Sequence, residues 1–194
     1  MRLDHIAFRV ADRVKTATFF QKAFGYRIQK EFDLDFGGGE TVKCIALIPP
    51  EKLELSAKVL PWVSHSVIYR EDFEKVYEET QEYHIPPEFF VSDGGPDTIV
   101  GKWVANRGGI GGIHHLAYQV SSVKDTMKEW KEKGYVEFTS ENPFTCPGLT
   151  QVFTKPSNLT GIIFEFIERE DYGFCEGNVK QLMKSTIDCD LNMR

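Results

Sequence analysis

The chain repeats itself. The segment LDHIAFRV (Leu3 to Val10) reads like IHHLAYQV (Ile113 to Val120). Aligned without gaps, His5 falls on His115, Ala7 on Ala117, Phe8 on Tyr118 and Val10 on Val120. Each copy is followed by a helix-like stretch and then a Gly-Tyr pair, Gly25-Tyr26 and Gly134-Tyr135. Self-similarity at this scale signals two copies of one supersecondary unit.

The unit can be read from its periodicities. In the opening segment, alternation puts Ile6, Phe8 and Val10 on one face and His5, Ala7 and Arg9 on the other, as a strand requires. Asp12 then offers an N-cap, with Ala17, Phe20 and Phe24 at helical spacing; Ser122, with Val123, Met127 and Trp130, does the same in the second copy. Gly25 and Gly134 stand where helices stop. Strands are expected near 26–33, 41–48 and 53–57, with Gly37-Gly38-Gly39 as a turn, and again near 135–139, 150–154 and 161–168. The expectation is an α+β fold, in which two paired βαβββ modules form one curved mixed sheet around a cup. The first module spans 1–57 and the second 113–169. Between them lie an inserted strand-helix segment, 58–98, and an inter-module linker, 99–112, with RGGIGG (Arg107 to Gly112) as hinge. Residues 170–194 hold a closing helix near 177–187.

Composition narrows the function classes. A length of 194 residues can bury a proper core. The formal net charge of -6, with no basic stripe, argues against nucleic acid, whose phosphates call for clustered Lys and Arg. No apolar run approaches a membrane span, and the N-terminus does not read as a signal peptide. The four cysteines, Cys44, Cys146, Cys175 and Cys189, form no CxxC pair, which fits free thiols in the cytoplasm. The expected partner is a small-molecule substrate, and a homodimer is compatible with the sequence.

The strand GIIFEFIE (Gly161 to Glu168) is almost continuously apolar, yet Glu165 sits in its centre. A carboxylate there must be compensated, by a metal ion or by a cation such as Arg9 or Lys155. His5 and His115 hold matching places in the two modules. If the modules pack with pseudo-twofold symmetry, both project into one cup beside Glu165. Two imidazoles and one carboxylate make a facial triad with open positions, which suits Fe(II), Mn or Co, with Zn more usual at four-ligand sites. His114 aligns with Asp4 and is expected on the opposite strand face. A fourth ligand or an acid-base group could come from Glu54 or Glu88, which bracket the inserted segment, or from Glu40.

These segments resemble the vicinal-oxygen-chelate superfamily of paired βαβββ metalloenzymes, over residues 3–56 and 96–169. The resemblance implies an eight-stranded open sheet with metal ligands at His5, His115 and Glu165. Within the superfamily, QVFTKP (Gln151 to Pro156), IIFEFIER (Ile162 to Arg169) and GFCEGNVKQL (Gly173 to Leu182) are similar to the catalytic half of the 4-hydroxyphenylpyruvate dioxygenases. That similarity implies Fe(II), with Gln151 toward the substrate and Phe174 capping it. Those dioxygenases carry two module pairs where this chain has one, and glutamine where it has His114.

The expected function is that of a metal-dependent Fe(II) dioxygenase-like enzyme acting on a 2-oxo acid or related bidentate oxygen substrate. GGIHHLAYQV also resembles the branch of methylmalonyl-CoA epimerase- and glyoxalase-like isomerases, in which a carboxylate such as Glu40 or Glu54 would move a proton beside a metal-polarised carbonyl. A metal-free small-molecule binding protein of the bleomycin-resistance type is the third alternative.

Overall fold

A computed structural model describes residues 2–49, 87–170 and 173–192. Its centre is one eight-stranded sheet in the order β2-β3-β4-β1-β5-β8-β7-β6. The strands are β1 (Arg2–Val10), β2 (Arg27–Asp35), β3 (Thr41–Ile48), β4 (Glu88–Gly94), β5 (Gly111–Gln119), β6 (Phe144–Cys146), β7 (Leu149–Phe153) and β8 (Ile163–Arg169). The order is a mirror of itself about the β1–β5 seam. Those two strands run antiparallel, and each has a parallel neighbour on its outer side, β4 beside β1 and β8 beside β5. Across the seam His5 lies opposite Ala117 and Ala7 opposite His115, the reciprocal pairing of a pseudo-twofold axis.

Helices cover both faces. α1 (Arg13–Phe24) starts where the Asp12 carboxylate accepts from the Lys15 amide at 2.9 Å and ends at Gly25, whose φ of 73° suits glycine. It lays Ala17 and Phe20 against Val10, Tyr26, Ile45, Leu47 and Val91. α3 (Val123–Glu132), capped by Ser122, does the same in the second half, with Val123 and Met127 on Val152 and Phe166. The opposite face is filled by α2 (Ile99–Asn106), through Val100, Trp103 and Val104, and by α4 (Glu176–Ser185), through Val179 and Met183. A short α5 (Ile187–Asn192) ends the described chain. No helix among the described residues is long and apolar enough to cross a membrane.

Several boundaries differ from those expected. The first module does not close at 57. Its fourth strand is β4, which fills the slot between β3 and β1, so residues 88–94 belong to the sheet rather than to an insertion at 58–98. A separation of about forty residues hid the match, because β3 and β4 are neighbours in space but not in sequence. The strand expected near 53–57 and the strand-helix expected within 58–86 lie outside the described residues. The expected linker 99–112 carries α2, whose N-cap Thr98 accepts from the Gly101 amide at 3.0 Å. The hinge glycines start β5 instead. Gly111 has φ 84°, and a Cβ there would stand 2.1 Å from the Arg9 carbonyl, so the seam closes only over glycine. Near 135–139 the structure has a single bridge, Phe138 to Thr154, and the paired edge strand is β6.

Candidate metal centre

The two histidines reach the cup by the same local device. Pairing along the seam passes from Leu3–Tyr118 to His5–Ala117, leaving Asp4 unmatched, and from Ala7–His115 to Phe8–Ile113, leaving His114 unmatched. Each is the extra residue of a β-bulge, which breaks the alternation of faces. Asp4 and His5 therefore lie together, as do His114 and His115. His114 was expected on the opposite face; the bulge turns it inward beside its neighbour.

Glu165 comes from β8, paired with Ala117. Its Oε2 stands 3.2 Å from His5 Nε2 and 3.1 Å from His115 Nε2, and the two Nε2 atoms are 3.3 Å apart. All three residues are buried, Glu165 and His5 at 1% exposure and His115 at 7%. Cis ligands around an ion at bond lengths of roughly 2.1–2.3 Å stand about 3.0–3.3 Å apart, so the donor set fits one divalent ion. Among the described residues this trio is a group of metal-ligating type whose donor atoms lie close enough to share an ion.

The charges already lean toward that use. Burial pulls the His5 pKa down, but the Glu165 charge and hydrogen bonds with Asp4 and Glu165 outweigh it and raise the pKa to about 9. Burial pushes the Glu165 carboxyl up, yet the His5 charge and the bonds from both imidazoles hold it well below the usual range. Burial keeps His115 below its ordinary value, against the pull of Glu165. In the metal-free protein the His5 proton thus stands in for a cation.

A ring of supports orients the three. His5 Nδ1 meets Asp4 Oδ1 at 2.8 Å, and that oxygen also accepts from Arg169 at 2.6 Å. His115 Nδ1 meets His114 Nδ1 at 2.9 Å. Gln151 donates to Glu165 Oε1 at 2.6 Å, leaving Oε2 to face the histidines, and Asn178 on α4 donates to the Gln151 carbonyl at 3.1 Å. Gln151, expected to face a substrate, is thus spent on the carboxylate, although it also lines the cleft. The Phe174 ring stands edge-on to His5 at 5.1 Å and against Phe90 at 4.9 Å. The cleft, with a cavity volume of about 30 Å³, is walled by Phe90, Phe153 and Phe174, with Leu182 and Met183 from α4.

Of the other candidate acids, the two among the described residues do not join the site. Glu40 sits in the turn ahead of β3 and does not line the cleft. Glu88 lies opposite His5 on β4, half-buried with its pKa raised by burial, and does not line the cleft. Glu54 lies outside the described residues. The pseudo-twofold decides which residue holds the fourth place. Glu165 pairs with Ala117, so its counterpart pairs with Ala7, and that residue is Phe90. An apolar ring stands where a fourth ligand would.

Asp4, Arg169 and Asn178 were not singled out from the sequence. Asp4 had one signal, its alignment with His114 beside a ligand histidine. Arg169 and Asn178 are brought in only by tertiary packing.

A family model, the Glyoxalase/Bleomycin resistance protein/Dioxygenase superfamily, matches residues 2–166. The chain belongs to this superfamily. Solved structures of similar fold include a methylmalonyl-CoA epimerase, at 20% identity and TM-score 0.60, covering 88% of this chain and 97% of the other. A mutant 4-hydroxymandelate synthase from Streptomyces coelicolor matches at 16% identity and TM-score 0.66, covering 96% of this chain and 54% of the other. Methylmalonyl-CoA epimerase from Mycobacterium tuberculosis matches at 16% identity and TM-score 0.56, covering 88% and 89%. No curated protein matches the chain. At these identities the neighbours establish the fold alone, and they include methylmalonyl-CoA epimerases and a 4-hydroxymandelate synthase. Superfamily members are mostly enzymes and usually bind a divalent metal, and the His5, His115, Glu165 group could hold one.

Proposed function

We propose that this protein is a mononuclear Fe(II) dioxygenase-like enzyme acting on a 2-oxo acid or a related bidentate oxygen compound. The observation that carries the reading is Phe90 in the fourth place of the pseudo-symmetric ligand set. Two imidazoles and one carboxylate then hold the ion on one side only. Fe(II) bound by these three residues would supply open positions for a two-oxygen chelate and for O2. The chain's own groups do the rest. Gln151 keeps one Glu165 oxygen occupied so that the other faces the ion. Phe90, Phe153 and Phe174 make the wall apolar, and the Phe174 ring over His5 shields the site from water.

The isomerase reading needs a carboxylate beside the substrate carbon. Among the described residues lining the cleft the only carboxylate is Glu165, which faces both histidines. Of the two candidate bases, Glu40 does not line the cleft and Glu54 lies outside the described residues.

The test is anaerobic titration of the Fe(II)-loaded protein with a panel of 2-oxo acids, followed by admission of O2. A charge-transfer band on binding, then O2 consumption, is expected. No band and no uptake with any member of the panel, alongside solvent deuterium exchange into an acyl-CoA substrate, would move the assignment to the isomerases.

A further inference from the structure

Each ligand histidine has a bulge residue at its back, and the two are chemically different. His5 has a carboxylate, Asp4, itself anchored by Arg169. His115 has another imidazole, His114. We infer that His114 is a positioning residue, which fixes the tautomer and the ring plane of His115 by accepting a hydrogen bond from its Nδ1. The inference rests on the metal reading and adds a residue to that site.

The Nε2 of His115 is the nitrogen that faces His5 and Glu165. For that nitrogen to offer its lone pair to an ion, the neutral ring must carry its single proton on Nδ1. A buried N–H needs an acceptor, and the atom 2.9 Å away is His114 Nδ1. His114 must then be the tautomer protonated at Nε2. The second ring is well placed to hold this role. It is 4% exposed and packs edge-on to Trp103 of α2 at 5.6 Å and to Phe153 at 6.1 Å. Its rotation is blocked by aromatic neighbours, so it can hold the His115 ring in one plane. The bulge explains why the residue before a ligand can serve at all: on a regular strand it would face away.

The substitutions His114→Leu and His114→Gln separate this role from bulk. Leucine keeps apolar volume and removes the acceptor. Glutamine supplies a carbonyl oxygen that can accept from Nδ1–H. The primary readout is Co(II) affinity, followed by the visible absorption of the bound ion. The second readout is nitrogen-15 NMR of the Zn(II)-loaded protein, which reports the protonated ring nitrogens directly. Circular dichroism and the Tm of each metal-free variant check folding.

A folded His114→Leu variant is expected to lose affinity by about 10- to 100-fold, the range for losing a ligand's outer partner, with glutamine recovering most of it. In the Zn(II) form of the unsubstituted protein, His115 should be protonated at Nδ1 and His114 at Nε2. Unchanged Co(II) affinity and spectrum in a folded His114→Leu variant overturn the inference while leaving the metal site standing. So does a Zn(II) spectrum with His114 protonated at Nδ1. If His114→Leu does not fold, the affinity of His114→Gln and the Zn(II) spectrum decide the question. Failure of the unsubstituted protein to bind Co(II) or Zn(II) removes the metal reading and this inference with it.

Discussion

The two halves of the molecule share one scaffold and divide the chemistry unequally. Both open on a bulged strand that presents a histidine, and both place a parallel strand outside it. The first half contributes His5, backed by Asp4, which Arg169 of the second half anchors, and an apolar ring, Phe90, from its outer strand. The second contributes His115, backed by His114, and a carboxylate, Glu165, whose spare oxygen is tied through Gln151 to Asn178 on α4. Symmetry puts four side chains around one point; the sequence makes three of them donors. An ion held there would take one donor from the first half and two from the second, and be left open on the side of Phe90.

The largest effect is expected from removing the carboxylate. Glu165→Ala leaves two imidazoles and no anion, and breaking a buried charged set by removing one partner costs about 3–5 kcal/mol where the remaining charges stay buried. Metal analysis after purification without chelator should show near-stoichiometric ion in the unsubstituted protein and none in the variant. Retained metal in Glu165→Ala would mean that the ion sits elsewhere. The next effect sharpens the comparison by completing the symmetry. Phe90→Gln puts an amide where the first half lacks a donor. It should keep the ion bound but weaken the charge-transfer band with 2-oxo acids and lower O2 uptake at least tenfold. Loss of the buried ring should also lower stability, and Phe→Ala changes in cores cost about 3–5 kcal/mol as an upper guide. A Phe90→Gln variant with full O2 uptake would show that an open position on that side does not matter.

The backing groups predict a smaller change. Asp4→Asn removes the charge that His5 Nδ1–H meets while keeping an acceptor oxygen. It also leaves Arg169 facing an amide. Co(II) affinity should fall by about 10- to 100-fold. The loss should exceed that of His114→Gln, because hydrogen bonds to charged groups are about twice as strong as neutral ones. Equal losses in the two variants would show that the halves back their histidines alike.

How much of this was legible in the sequence follows the kind of signal each residue carries. The repeat aligned His5 with His115 and so gave the pseudo-twofold, and a lone acid in an apolar strand marked Glu165. These are patterns of one residue against its own strand. The fourth strand of the first module was missed because its partners lie far away in sequence, and with it the meaning of Phe90. Phenylalanine in EFFVSDG looks like any core residue until the register pairs it with Ala7. The bulges were invisible for another reason. Strict alternation sends Asp4 and His114 away from the cup, and only the observed pairing shows the extra residue in each strand. Glu88 was suggested by its spacing to His115 and Glu40 as an acid-base group, and the fold puts neither in the cleft.

The smallest effect expected concerns the protein without metal, in which the halves meet through a proton. His5 from the first half is raised to about 9 from an ordinary 6.5, against the opposing pull of burial, by the charge of Glu165 from the second half and by Asp4. Asp4, Glu165, His115 and Glu88 are the titratable groups around it. A raised folded-state pKa stabilises the fold fully below the unfolded value, about 6.5, and that contribution is lost as pH rises through about 9. Glu165, held below its ordinary 4.5, contributes above that value and loses its contribution only on strong acidification. The metal-free Tm should therefore fall between pH 6.5 and 9. Metal binding would release the His5 proton and put the ion in its place, so the loaded protein should lack this fall, and the Tm gain from metal should widen across the same window. Replacing the acid partner isolates the cause: Glu165→Gln should flatten the metal-free slope, since an amide cannot hold His5 charged. A slope that survives in Glu165→Gln would place the titrating group elsewhere. The first half's histidine would then not depend on the second half's carboxylate in the absence of an ion.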